Sequence, residues 1–136
     1  MRYLIDTSIW IDLYENRKGF NNEPLGDYAR KLFTKILKEQ DQIIKTELLI
    51  RELESNYSVE QINGMFSPFE RIAKRVHITK EQEKESEKIA MLRKVPKGDA
   101  LHAILAHDHK LILVTRDNHF KELKDISKYY KPEDLI

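Results

Sequence analysis

Residues 3–8 read "YLIDTS", a strand-forming apolar run that stops at Asp6 with Thr7 and Ser8 directly behind it. A continuously apolar run leaves no face for water, so YLI fits a strand covered on both sides, as in a parallel sheet. "LILV" at 111–114 is a second such run, and Thr115, Arg116 and Asp117 follow it. Further β-type runs lie at 42–44, 76–78 and 126–130.

Helical patterns fill the gaps between these runs. Across 25–40, Leu25, Ala29, Leu32, Phe33, Ile36 and Leu37 recur at three- and four-residue spacing, which makes one apolar helix face. Ser58 with Gln61, and Thr79 with Gln82, carry capping-box spelling at two further helix starts. The second opens "TKEQEKESEKIAMLRK" (79–94), whose alternating charges predict a solvated outer face. Strands separated by helices need long crossovers, which predicts a mainly parallel sheet with helices on both sides. "NRKGFNNEP" (16–24) is the one long loop, and there is no internal repeat or Gly/Ser linker.

The 136 residues are the size of one ordinary domain, and a core of that size needs no disulfide or metal staple. Cysteine is absent, which excludes a disulfide framework, a thiolate metal site and a cysteine nucleophile, and fits a cytoplasmic setting. No segment reaches the roughly 18 uninterrupted apolar residues of a membrane helix, so a soluble protein is expected. Lys and Arg number 24 against 23 Asp and Glu, a net charge of +1, so any polyanion reading must rest on local chemistry.

That local chemistry is acidic. Ligands of open parallel sheets bind beyond the carboxyl ends of the strands, and Asp6 and Asp117 both follow such ends. Asp99 lies in "PKGDALHAILAHDHK" (96–110), where Pro96 and Gly98 mark a loop and Leu101, Ile104 and Leu105 a helix beginning. Taken singly, Asp6 and Asp99 can equally be helix caps, and Asp117 an Asx-turn residue. Glu52 separates the readings better. On a wheel of "TELLIRELES" (46–55), advancing roughly 100° per residue, it falls inside the arc of Leu48, Leu49, Ile50 and Leu53. A carboxylate on a buried arc requires a partner, be it a cation, a lysine or an arginine.

In order and spacing, "YLIDTSIWIDLY", "IIKTELLIRELE", "KGDALHAILA", "LILVTRDNHF" and "YYKPEDLI" resemble a PIN domain, most closely the toxin nucleases of the VapC group. The resemblance covers essentially the whole chain, 1–136, as a single domain. It implies a three-layer α/β/α fold with a central parallel sheet of strand order 3-2-1-4-5. It also implies an acidic metal pocket of Asp6, Glu52, Asp99 and Asp117, with Thr115 as an assisting hydroxyl and Ser8 as a polar neighbour of the first aspartate. On this reading the apolar strand is a rigid mount for the Asp6 carboxylate, and Thr7 or Ser8 can cap the helix behind it.

Carboxylates about 4 Å apart repel by about 4 kcal/mol at an effective dielectric of 20. Four converging acids therefore need protons or cations, and hard oxygen donors suit Mg²⁺ or Mn²⁺. Such ions polarise a scissile phosphate and activate water, the chemistry of phosphodiester hydrolysis. The resemblance makes RNA the substrate and the protein a metal-dependent endoribonuclease, the toxin of a toxin–antitoxin pair, with an antitoxin partner and a homodimer expected. An RNA-processing nuclease and a non-catalytic RNA- or protein-binding PIN module are the alternatives. A receiver-type phosphoacceptor is disfavoured because "IDTS" supplies one acid rather than a pair, and a haloacid-dehalogenase-like phosphatase because Ser8 stands where its second aspartate would.

Around the pocket, Arg116, Lys97 and Arg51 adjoin site residues and are the candidate rim cations for phosphate. His102, one helical turn after Asp99, can face the pocket, and an imidazole there departs from the small or apolar residue usual in the family. His107 and His109, at i, i+2 spacing, point to different faces. Trp10, Phe33, Phe66, Phe69 and Phe120 are expected in the core or an interface.

Overall fold

The computed structural model describes residues 1–136. The opening apolar run forms β1 (Arg2–Ile5), which lies at the centre of the sheet because both of its edges find parallel partners. On one side it pairs with β2 (Gln42–Lys45), Tyr3 opposite Ile43; on the other with β4 (Ile112–Val114), Ile5 opposite Val114. β3 (Ala73–Arg75) and β5 (Tyr129–Tyr130) form the edges, so all five strands run parallel in the order β3-β2-β1-β4-β5. This is the expected order.

Successive strand residues point to opposite faces, and the cores divide accordingly. Tyr3, Ile5, Ile43 and Val114 join one core; Leu4, Ile44 and Leu113 join the other. The first core is closed by α1 (Thr7–Glu15), α2 (Leu25–Glu39), α3 (Glu47–Glu54) and α4 (Val59–Phe66). Trp10 anchors it, with ring centroids 4.7 Å from Phe33, 4.7 Å from Phe66 and 5.6 Å from Phe69. Edge-to-face contacts of this kind add about 0.5–1.5 kcal/mol each beyond area burial. The second core lies under α5 (Lys80–Arg93) and α6 (Lys97–His109), with Leu101, Leu105 and Phe120 fully enclosed. The expected aromatic core residues are therefore all buried.

The apolar face of 25–40 is present as α2, and both capping boxes form. Three expectations are corrected. The third strand is Ala73–Arg75 rather than 76–78. Its side chains are mostly exposed at the sheet edge and carry no apolar signature, while Val76 ends the ladder by donating its N–H to Lys45 O and packs into the second core. The fifth strand shrinks to Tyr129–Tyr130, since β4 offers it only Leu113 and Val114. On α5 the solvated face is not wholly charged: Met91 and Leu92 are exposed, while Gln82 and Ser86 are the residues it buries. No helix is long and apolar enough to cross a membrane.

Candidate active site

The sheet brings the carboxyl ends of β1, β2 and β4 together, and each delivers its acid differently. β1 passes directly into α1 through Asp6, whose N–H donates to Val114 O at 2.9 Å and so extends the β1–β4 ladder. Asp6 itself is the N-cap of α1, its Oδ1 accepting from Thr7 N at 2.8 Å. Asp6 is itself one of the caps the sequence allows, while Thr7 and Ser8, the other candidates, turn their hydroxyls on carboxylates. Thr7 Oγ1 donates to Glu52 Oε1 at 2.7 Å, and Ser8 Oγ to Asp6 Oδ2 at 3.3 Å. A helix N-terminus tolerates this arrangement because its own amide and dipole favour the negative charge.

Beyond β2, Thr46 caps α3 by accepting from Leu49 N at 3.2 Å. That cap sets the turn on which Glu52 leaves the buried arc of Leu48, Leu49 and Leu53 and reaches the pocket. Gly98, at the start of α6, lies close: a Cβ there would stand 3.1 Å from Glu52 Oε2. Asp99 is the third residue of α6 and not its cap, since Pro96 holds that place without a side-chain bond. Its backbone position near the helix N-terminus is as expected.

Beyond β4, the fully buried Thr115 joins two acids. Its Oγ1 donates to Asp6 Oδ2 at 2.8 Å and accepts from Asp117 N at 3.1 Å. Asp117 caps the short 3-10 helix Asn118–Leu123, its Oδ1 accepting from His119 N at 2.9 Å. The turn role and the pocket position therefore coexist at one residue.

Two histidines complete the cluster. His102 is wholly buried, with Nε2 3.1 Å from Glu52 Oε1 and 3.8 Å from Asp6 Oδ1, while its Nδ1 meets no partner. His119, which sequence reasoning passed over, places Nδ1 3.1 Å from Asp99 Oδ2 and 2.9 Å from Asp117 Oδ1. Its position two residues after Asp117 in "TRDNHF" was the available signal. The donor atoms thus form two trios, Asp6–Glu52–His102 and Asp99–Asp117–His119, each mutually within 4.8 Å.

The protonation balance follows these contacts. Burial, and then the charges of Asp117 and Asp6, push Asp99 up to about 6, against the weaker pull of His102 and His119. Burial also works to raise Glu52, but the hydrogen bonds from His102 and Thr7 with the charge of His102 outweigh it and hold Glu52 below its ordinary range. Burial disfavours the charged form of His102, yet Glu52, Asp6 and Asp99 together hold it above its ordinary value. Glu52 Oε2, Asp99 Oδ1 and Asp117 Oδ2 accept no hydrogen bond from the chain, so oxygens remain free for a cation. A hard divalent ion fits this donor set.

The candidate rim cations are engaged elsewhere. Arg116 forms a bidentate pair with Glu133 at 2.8 and 2.6 Å; Lys97 bridges Glu83 at 2.9 Å and Glu87 at 3.2 Å; Arg51 lies 3.6 Å from Glu83. His107 pairs with its neighbour Asp108 at 3.0 Å.

Comparison with known proteins places this geometry in context. The family model described as PIN domain matches residues 3–126. No curated protein matches the chain. Among solved structures, VapBC2 from Rickettsia felis, bound to a DNA fragment from its promoter, aligns with TM-score 0.69 at 15% identity over 96% of this chain and 98% of that one. FitAcB from Neisseria gonorrhoeae aligns with TM-score 0.64 at 15% identity over 99% and 100% of the two chains. A toxin–antitoxin complex from Klebsiella pneumoniae aligns with TM-score 0.60 at 20% identity over 96% and 97%.

Proposed function

This chain belongs to the PIN domain family, and on that premise we propose that it is a metal-dependent endoribonuclease, acting as one domain in the cytoplasm as the toxin of a toxin–antitoxin pair. The observation that carries the reading is the convergence of Asp6, Glu52, Asp99 and Asp117 at the carboxyl end of the sheet, with three of their oxygens unpaired. The resemblance to toxin–antitoxin structures supports the biological role and an antitoxin partner, and a homodimer belongs to the same proposal.

Asp6, Glu52, Asp99 and Asp117 would hold the cation, Mg²⁺ or Mn²⁺. When bound, a divalent ion supplies polarisation of the scissile phosphate and acidification of the attacking water. Thr115 orients Asp6 and fixes the turn that presents Asp117. Thr7 and His102 hold one oxygen of Glu52 and leave the other without a hydrogen bond. Rigid mounts of this kind limit the motion a reacting phosphate would otherwise have to overcome. The acid cluster alone repels a polyanion, so the cation also makes phosphate entry favourable.

A non-catalytic module is the second reading, favoured by one observation: Arg51, Lys97 and Arg116 are paired with acids rather than presented to a substrate. End-labelled structured and single-stranded RNAs, incubated with the protein in Mg²⁺, Mn²⁺ or EDTA, separate the two. Metal-dependent cuts that disappear in Asp6→Asn and Glu52→Gln establish the nuclease. Equal cutting by the variants points to a contaminant, and tight metal binding without cutting favours the module.

A further inference from the structure

The two histidines of the pocket are not equivalent as ligands. A metal-bound imidazole passes its other ring N–H to an acceptor or to water. His102 is fully buried and has no partner at Nδ1, so ligation through Nε2 would strand an N–H in the core. Its Nε2 serves better as the donor that steadies Glu52. His119 is the opposite case. Its Nδ1 faces the acids and its side chain is 52% exposed, so water can take the proton on the other nitrogen.

The spacing around His119 also suits an ion. Two donors about 2.1 Å from a cation and at right angles to one another lie about 3.0 Å apart. Nδ1 stands 3.1 Å from Asp99 Oδ2 and 2.9 Å from Asp117 Oδ1, on the rim left free by the clamped Asp6 and Glu52. The His119 backbone N–H holds Asp117 Oδ1 at 2.9 Å, which fixes the ring's base relative to one of those acids.

We propose that His119 is a third donor, with Asp99 and Asp117, to a divalent ion at the open side of the pocket, and that this nitrogen shifts the site's preference from Mg²⁺ towards a first-row transition ion. The assignment rests on the metal-dependent reading of the same pocket. Its chemical basis is that imidazole binds transition ions well, whereas Mg²⁺ demands oxygen and keeps its waters.

The test compares Co²⁺ and Mg²⁺ binding to the whole chain and to His119→Gln, by calorimetric titration and by the visible absorption band of bound Co²⁺. His119→Gln keeps the backbone cap and changes a half-exposed side chain, so the fold should persist. The expected result is a loss of about tenfold or more in Co²⁺ affinity, roughly 1.4 kcal/mol, a moved Co²⁺ band, and little change for Mg²⁺. An unchanged band, or affinities for both ions that stay equal or fall together, overturns this assignment while leaving the metal-dependent reading intact. A wild-type chain that binds neither ion overturns both.

Discussion

Asp6 and Glu52 sit in a pocket wall that answers them, with hydroxyls from Thr7, Ser8 and Thr115 and an imidazole from His102. Asp99, across the same pocket, accepts a side-chain contact from the half-exposed His119 ring alone, and its burial and the charges of Asp117 and Asp6 outweigh the pull of His102 and His119. The fold thus compensates one pair of acids internally and leaves the other for an external cation. A carboxyl group pushed up to about 6 is still mostly ionised at pH 7, and its raised value marks a charge that lacks a partner. The open trio, rather than the clamped one, is therefore where metal should alter the protein most.

The largest effect should come from removing acids on each side. Asp99→Asn and Glu52→Gln should each lower the nuclease rate by about a hundredfold or more, the equivalent of about 3 kcal/mol of metal-supplied stabilisation. Their effects on the metal-free fold should have opposite signs. Asp99→Asn removes an uncompensated charge and should raise the melting temperature in EDTA at pH 7, whereas Glu52→Gln weakens the partner of a buried imidazole and should lower it. Melting curves of both variants in EDTA check this, and shifts of the same sign would erase the distinction between the two sides.

Thr115→Val should come next. It removes a buried hydroxyl that serves Asp6 and the Asp117 amide together, a change worth about 1–3 kcal/mol. Chemical denaturation measures the stability loss. Because the hydroxyl belongs to the clamped side yet shapes the turn of the open side, metal affinity should fall with it. Retained metal affinity would show that the two sides are independent.

Gly98→Ala sharpens the comparison from the position where the sides touch. Alanine is the better helix residue by roughly 0.8–1.0 kcal/mol in a helix interior, but its Cβ would stand 3.1 Å from Glu52 Oε2. The expected outcome is unchanged or slightly higher stability with about tenfold lower activity, because the oxygen displaced is one left free for a cation. Steady-state cleavage rates beside melting temperatures distinguish this from a general packing defect, in which both would fall.

Much of this arrangement was legible in the sequence because rigid elements carry it. "YLIDTS" and "LILVTRD" announce strands that end on carboxylates, and the apolar arc of "TELLIRELES" announces the helix that turns Glu52 inward. What escaped depended on contacts between distant segments. His119 drew no reading from the sequence, because only the fold sets the turn after β4 against the first turn of α6. The third strand, Ala73–Arg75, lies on an edge whose exposed side chains need no apolar pattern, so the neighbouring apolar run at 76–78 drew the assignment instead. The cations expected at the rim adjoin the site residues in sequence, but they pair with Glu83, Glu87 and Glu133, which come from other elements that sequence adjacency does not reveal.

The smallest predicted effect isolates Asp99 by pH. Its folded-state value near 6 lies above the ordinary 3.8, so between those pH values the folded chain holds a proton that the unfolded chain has lost. Stability from this group must then fall as pH rises through that window and level off above it. Glu52, held low, titrates with the opposite sign, and His102, held high, with the same sign in a higher window, so the wild-type curve alone is a mixture. The difference between Asp99→Asn and wild type in EDTA removes most of that mixture. It should be small near pH 4, grow in favour of the variant up to about pH 6, and stay constant beyond. Saturating Mn²⁺ should cancel the wild-type penalty above pH 6 and act less below it, where the proton competes for the same oxygens. A difference that is flat from pH 4 to 7 would place the missing charge elsewhere in the pocket, and the open trio would lose its claim to be the side that awaits the cation.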